Sequence, residues 1–276
     1  MSERDSHYVH GTDPEEQARL ARLNELLNTA TVAAVALLGG ERVLDVGAGL
    51  GQLTRALARA AGPCGRVVGV ERSEEQLAEA VRRGREEAPG GAPVELRQGD
   101  ARAMPLAERE WGSFDVAHTR FLLEHVPDPE AVVAAMVRAV RPGGRVVLLD
   151  DDHAAMRLHP EPPGLRSVWE AYCRSYDRAG NDPYVGRRLP ALLHGAGAAP
   201  RRAHVIPFGT CAGDPSFPLF AENLAVIVDQ ARGPIAATGL VSEVEVRRAA
   251  AEVRAWAGRP DAVLWYSMCF AEGVRV

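Results

Sequence analysis

The 276-residue sequence contains no lysine; all 32 of its basic residues are arginine. That absence removes chemistry. Schiff-base catalysis needs a side-chain amine, so pyridoxal enzymes and imine-forming aldolases are excluded. A P-loop needs its lysine on the phosphates and is excluded as well. Cysteine is scarce: Cys64, Cys173, Cys211 and Cys269 are scattered and form no Cys-x-x-Cys pair. Neither a zinc knuckle nor a disulfide framework is indicated, and buried reduced thiols are expected. Long apolar runs are missing too, the longest (30–38) being too short to span a bilayer. The leader carries Glu3 and Asp5 in place of a basic and then apolar signal region, so a cytoplasmic protein without a membrane partner is expected. The net charge is only −5, and no dense basic stretch is interleaved with aromatics, which disfavours nucleic acid as the main partner. The hydrophobic content of 46% is enough for a sizeable core in one large α/β domain.

What is present is an alternating pattern. Residues 13–38 read as a helix, with Asp13 as N-cap, Pro14 at the first position and Leu20, Leu23 and Leu27 at helical spacing, ended by Gly39-Gly40. Predicted strands follow at Arg42–Val46, Arg66–Val70, Val94–Gln98, Phe114–His118 and Arg145–Leu149. Predicted helices at Gln52–Ala61, Glu74–Glu87 and Pro129–Val140 lie between them, the last stopped by a sharp turn at Arg141-Pro142-Gly143-Gly144. Such alternation implies a parallel sheet covered on both faces. After Asp150 the regularity weakens. Helices are expected at Leu165–Arg178 and Val185–Ala196, and a sixth strand at Ala203–Pro207. Residues 214–257 are mostly helical in pattern with breaks at Gly233-Pro234 and Gly239, and Ala262–Glu272 closes the chain as a β-rich segment.

The glycine loop Gly47-Ala48-Gly49-Leu50-Gly51 joins the first strand to the next helix. Such a turn lets the backbone approach a ligand closely at the positive end of a helix. The spacing departs from the G-x-G-x-x-G dinucleotide fingerprint, and Asp45 stands before the loop. A carboxylate there repels pyrophosphate and suits a ligand carrying an ammonium group; it can also serve to organise the loop. Glu71 ends the second strand twenty residues after Gly51, where a carboxylate can accept from both ribose hydroxyls. Asp100, at the end of the third strand, can accept from an adenine amino group. In sheets of this kind ligands bind at the edge where these three acids lie.

These segments together resemble the class I S-adenosylmethionine-dependent methyltransferases, in particular the small-molecule branch near the ubiquinone and menaquinone biosynthesis enzymes. The matching motifs are Val43-Leu44-Asp45-Val46-Gly47-Ala48-Gly49-Leu50-Gly51, Gly69-Val70-Glu71, Gly99-Asp100-Ala101, Phe114-Asp115-Val116, His125-Val126-Pro127-Asp128-Pro129 and Val140-Arg141-Pro142-Gly143-Gly144-Arg145. The resemblance implies a Rossmann-like α/β fold with a seven-stranded sheet of order 3-2-1-4-5-7-6, the last strand antiparallel. It implies an N-terminal helical lid over 1–39 and a methyltransferase domain over 40–276 that includes a helical insertion at about 214–257. It also implies S-adenosylmethionine as cofactor. Asp45, Gly47, Ala48, Gly49 and Gly51 would then hold its methionine portion, Glu71 the ribose, and Asp100 with the Ala101 amide the adenine. Arg72, beside Glu71, is counted with this cofactor-binding set, as is Tyr8 in the lid.

The same resemblance directs the methyl group toward the end of the fourth strand, making His118-Thr119-Arg120-Phe121 the floor of the reaction site. Thr119 is expected to meet the cofactor through its backbone, and Arg120 to bind the cofactor or a substrate carboxylate, or else to form a surface ion pair. His118 and His153 are the candidate bases for a hydroxyl acceptor; His125 reads mainly as a helix-end residue. Tyr184 and Arg187 could reach the pocket, and Phe220, Leu224 and Ile227 could form an apolar lid or ordinary packing. The run Asp150-Asp151-Asp152-His153 is not read as a metal site, because consecutive strand residues point to opposite faces. Methyl transfer to a small organic acceptor, in natural-product biosynthesis for example, is the expected activity. The alternative is a non-catalytic S-adenosylmethionine-binding sensor or subunit.

Overall fold

The computed structural model describes residues 14–86 and 90–276, with side chains from residue 24 onward. Tyr8, Asp13, Glu87 and the side chains of Leu20 and Leu23 lie outside what is described, so the expectations placed on them are not met with a structure. In chain order the elements are α1 (Pro14–Val35), β1 (Arg42–Val46), α2 (Gln52–Ala61), β2 (Arg66–Glu71), α3 (Glu74–Glu86), β3 (Val94–Gln98), β4 (Phe114–Arg120), α4 (Pro129–Ala139) and β5 (Val140–Asp151). Then follow β6 (Arg157–His159), α5 (Leu165–Ser175), α6 (Leu189–Gly195), β7 (Ala198–Pro207), β8 (Thr210–Cys211), α7 (Phe217–Gln230), α8 (Arg232–Ala236), α9 (Glu243–Ala257), β9 (Val263–Trp265) and β10 (Ser267–Arg275). Among the described residues no helix is long and apolar enough to cross a membrane.

The chain divides into two compact units. The first comprises Asn24–Asp152, Tyr184–Ile206 and Met268–Val276; the second is built, among the described residues, from 14–23, His153–Pro183 and Pro207–Ser267. In the first, seven strands stand in the order β3-β2-β1-β4-β5-β10-β7. The pairs β3-β2, β2-β1, β1-β4 and β4-β5 are parallel, and β10 runs antiparallel to β5. Counting only the strands of this sheet, the order is the 3-2-1-4-5-7-6 expected from the resemblance. The inner strands are apolar because both faces are covered, whereas the edge strands β3 and β7 are polar and largely exposed. One face packs Leu44, Val46, Ala117 and Leu148 against Val132, Val133 and Met136 of α4. Helix α2 buries Leu53, Leu57 and Ala58.

β5 is longer than expected. The sharp turn at Arg141–Gly144 is a bulge inside the strand: a two-residue step on β4, Phe114 to Val116, answers a five-residue step on β5, Val140 to Arg145. Gly143 at φ +74° supplies the left-handed residue that lets the strand leave and rejoin the ladder. At its other end β5 runs on to Asp151 because β10 pairs with it there, Met268 opposite Asp151.

In the second unit α7 packs on α9. Phe217, Phe220, Leu224 and Val228 form the buried stripe of α7, and Val246, Ala249, Ala250, Val253 and Trp256 that of α9. Phe220 and Leu224 are core residues here, while Ile227 is only half-buried and Val228 takes the inward position. A capping box opens α9: Ser242 accepts from the Glu245 amide, and the Glu245 carboxylate accepts from the Ser242 amide. The expected break at Gly233-Pro234 falls inside α8; α7 gives way to α8 at Ala231 instead. A three-stranded sheet of order β6-β9-β8 was not foreseen. Its strands of two or three residues are too short to leave a periodic signal.

Candidate active site

The glycine loop is a backbone knot at the end of β1. Gly47 and Ala48 amides both donate to the Val70 carbonyl of β2, at 2.9 and 3.0 Å, and the Gly51 amide donates to Ala48 at 2.8 Å. Gly51 opens α2 at φ +71°, and a Cβ there would lie 2.7 Å from the Arg55 guanidinium and 3.2 Å from Ala80. Both the left-handed backbone and the close approach of α3 require glycine at this position.

Asp45 is buried at 2% exposure. Thr54 of α2 donates its hydroxyl to one carboxylate oxygen at 2.6 Å, and His118 Nδ1 lies 2.9 Å from the other. His118 is the cross-strand neighbour of Asp45 on β4. Asp45 thus ties α2 to β4 through side-chain contacts at the foot of the loop. His118 is fully buried, and its Nε2 has no hydrogen-bond partner among the described residues. The sequence placed His118 in the floor of the reaction site; the structure buries it within the sheet beside Asp45.

Glu71 joins two halves of the site. One carboxylate oxygen accepts from the Gly49 amide at 2.9 Å and the other from the Ser73 amide at 2.8 Å. Asp100 is clasped by Arg102, whose guanidinium donates to both oxygens at 3.0 and 2.7 Å, with the Arg102 amide at 2.8 Å. These bonds hold the Asp100 carboxyl at about 2, with the Arg72 charge adding to the effect. The Arg72 carbonyl itself accepts from Gln98. Ala101 follows Asp100 in a turn bridged from Asp100 to Ala103.

At the end of β4, Thr119 donates its hydroxyl to the Val46 carbonyl at 2.7 Å and is fully buried. Arg120 is bound on one side by α1. Its guanidinium donates to Asn24, Asn28 and Thr31 along one face of α1, at 3.2, 2.9 and 3.0 Å, and lies 5.3 Å over the Phe121 ring. Phe121 adopts φ +53°, a strained backbone for an aromatic residue. Asp150 holds that turn: its buried carboxylate accepts from the Leu122 and Leu123 amides at 3.1 and 2.8 Å. Burial, and then the neighbouring Glu124 and Asp151 charges, raise the Asp150 carboxyl well above the usual carboxylate range. Sequence reasoning listed Asp150 only within an acidic run; Thr54, Arg102 and the Asn24–Asn28–Thr31 stripe went unnoticed. The last was legible in principle, as three polar side chains at helical spacing.

His153, the other candidate base, belongs to the second unit. Its Nδ1 is 3.0 Å from the Tyr266 hydroxyl and its Nε2 is 3.4 Å from that of Tyr176. In the first unit Arg187 is bound to both carboxylate oxygens of Asp152 at 2.7 and 2.6 Å and stacks 4.9 Å from Tyr184. The cysteines also depart from expectation: Cys173 is buried, but Cys64 and Cys211 are exposed.

The donor set can be tested against a ligand class. Three carboxylates at the ends of β1, β2 and β3 flank a glycine turn, and each is held in place by neighbouring groups, Asp100 by the Arg102 guanidinium. Such acceptors match a nucleoside with a diol, an exocyclic amine and a positive charge; they mismatch a pyrophosphate. The class defined by the fold is a Rossmann-like domain with an acid-flanked glycine loop.

Comparison with known proteins narrows the class. Residues 44–148 match the model of a methyltransferase domain. The ubiquinone biosynthesis O-methyltransferase of Methylococcus capsulatus is 38% identical over 141 residues, 51% of this chain and 56% of that protein. The demethylmenaquinone methyltransferase of Lactococcus lactis is 33% identical over 138 residues, 50% of this chain and 53% of that one. The chain thus spans about half the length of the curated relatives it matches. Among solved structures, the geranyl diphosphate C-methyltransferase of Streptomyces coelicolor, crystallised with Mg2+, geranyl diphosphate and S-adenosyl-L-homocysteine, aligns with a TM-score of 0.55 at 16% identity, over 96% of this chain and 86% of that one. That likeness shows the fold. Residues 44–148 are thus similar to the methyltransferase domain of these proteins.

Proposed function

We propose that this protein transfers a methyl group from S-adenosylmethionine to a small organic acceptor by direct displacement. The observation that carries the reading is the triad of acids at consecutive strand ends, with Glu71 bonded to the glycine loop through Gly49. Glu71 holds the ribose hydroxyls, Asp100 and the Ala101 amide the adenine, with Arg72 beside them. The turn at Gly47, Ala48, Gly49 and Gly51 receives the methionine portion over Asp45, and Thr119 meets it through its backbone. His118 acts on Asp45, fixing the carboxylate beneath the loop. The cofactor supplies an already activated methyl group, so positioning provides much of the rate. A small acceptor is supported by the quinone-biosynthesis methyltransferases among the relatives and by the absence of a strongly basic surface in the composition. A natural-product intermediate fits this class.

The test is transfer of a labelled methyl group from S-adenosylmethionine to a panel of small phenols, amines and activated carbon acids. Labelled product from at least one acceptor is expected. Tight cofactor binding with no product from any acceptor would favour a non-catalytic sensor or subunit.

A further inference from the structure

The small sheet of the second unit has one face turned to solvent. On its middle strand, β9, alternation buries Leu264 and leaves Trp265 61% exposed. Arg157 of β6 stands directly opposite Trp265 in the antiparallel ladder. Opposed residues send their side chains to the same face, with Cβ atoms about 5 Å apart, so the exposed Arg157 and the exposed indole are neighbours. On the other flank of Trp265 the chain passes through Gly209, where a Cβ would meet the Leu264 carbonyl at 2.9 Å and Trp265 Cε3 at 3.4 Å. No side chain rises beside the indole at that position, and an open indole is a stacking surface. A groove of about 420 Å³ lies here, lined by Ala155, Pro207, Gly209, Trp265, Tyr266 and Ser267. That volume suits a small organic ligand.

The Arg157 guanidinium is anchored at one nitrogen. Nη1 donates to the Ala154 carbonyl at 2.6 Å and to the Met156 carbonyl at 2.7 Å, the two groups that flank the groove residue Ala155. The head is thus held at the edge of the groove, and ordering it on a ligand costs less than ordering a free side chain would. Nε and Nη2 form the edge that can take a carboxylate in two parallel bonds, and they donate to no group among the described residues. The acid whose charge reaches Arg157 is committed elsewhere: both oxygens of Glu161 are bound by Arg166, at 3.0 and 2.5 Å. Side by side, the indole and the guanidinium offer a flat apolar surface and a cationic edge.

We propose that this face binds a small planar aromatic carboxylate, its ring stacked on the Trp265 indole and its carboxylate held by Nε and Nη2 of Arg157. The site goes beyond the methyl-transfer reading and does not rest on it, since all of its residues belong to the second unit. A chain that bound the carboxylate but no S-adenosylmethionine would overturn that reading and leave this one standing.

Ligand-observed NMR titration of the full chain with quinoline-6-carboxylate and its neutral isostere quinoline-6-carboxamide, in low-salt buffer, tests it. The carboxylate is expected to bind at least ~3-fold more tightly, the scale of an exposed ion pair, and added salt should narrow the difference. Arg157→Gln should bring the ratio close to one with circular dichroism unchanged, whereas Arg174→Gln, which removes an exposed arginine of α5, should preserve it. Trp265→Ala should weaken both probes. If Arg157→Gln does not fold, Arg157→Lys, which keeps the charge and loses the two-bond edge, should lower the ratio. No binding of either probe, equal affinity of the two for the native protein, a preference that survives the Arg157 substitution, or binding indifferent to Trp265→Ala would overturn the proposal.

Discussion

Glu71 accepts two backbone amides with one carboxylate, Gly49 on one side and Ser73 on the other. Charge-assisted bonds of this kind are worth about 1.5–3 kcal/mol each. Removing the carboxylate loosens the glycine loop as well as deleting the ribose acceptor, so Glu71→Ala and Glu71→Gln should weaken cofactor affinity unequally, with alanine the worse. At Asp100 the Arg102 clasp competes with any adenine contact; Arg102→Ala should leave cofactor binding intact or improved, and a large loss would show that the clasp itself shapes the adenine site. Thiol chemistry gives a check on burial. Cys64 and Cys211 are exposed, Cys173 is buried, and burial together with the Asp150, Asp151 and Asp152 charges pushes the Cys269 thiol up to about 11. Two thiols should react rapidly with a maleimide in the native protein and four after denaturation; four fast thiols would contradict the packing described. These residue-level partners were the least legible in the sequence. The acids could be read from their positions at strand ends, but Thr54 and Arg102 become partners only once the chain turns.

Two clamps fix α1, and both are made of arginine. Arg120 grips Asn24, Asn28 and Thr31 from the end of β4. At the helix C-terminus Arg145 donates to the Val35 and Ala36 carbonyls and Arg202 to that of Ala34, capping groups that the helix leaves unpaired. Glu272 on β10 holds both guanidinium groups, at 2.9 and 2.8 Å. Its burial opposes ionisation, but the paired Arg202 and Arg145 outweigh that and lower its pKa. Glu272→Ala leaves two cations facing each other without their shared anion. A loss of about 3 kcal/mol is expected, seen as a melting temperature lowered by several degrees and faster amide exchange over 31–36. Unchanged exchange there would refute the capping role. At this scale the sequence served well where periodicity is strong. The bounds of β1, α2 and β3 match the sequence reading, because each is apolar or amphipathic over its whole length and closed by glycine or a turn. It served poorly where pairing across the sheet decides the ends: β4 and β5 each run past their expected limits because neighbours offer ladder bonds.

Across the molecule, the alternation of strands and helices carries the seven-stranded sheet and its order. The small β6-β9-β8 sheet shows what alternation does not carry, since contacts distant in sequence make it. Charge pairing also acts at this scale. Glu110, nearly buried, is held at about 2 by paired bonds to Arg97, with the Ala107 amide assisting against burial. A depressed folded pKa gives stability that is present above the unfolded value and lost as pH falls through the folded one. The stability gap between the native protein and Glu110→Gln should therefore be full at pH 6 and close between about 4.5 and about 2; a gap independent of pH in urea melts would show that the ion pair contributes nothing.

The central claim is that the acids and the glycine loop form an S-adenosylmethionine site. Isothermal titration of the full chain with S-adenosylmethionine and with NAD tests it most directly. Saturable binding of S-adenosylmethionine, weakened at least ~10-fold by Glu71→Ala, with no heat from NAD, is the result expected. Binding of NAD alone, or an affinity for S-adenosylmethionine unchanged by Glu71→Ala, would contradict it.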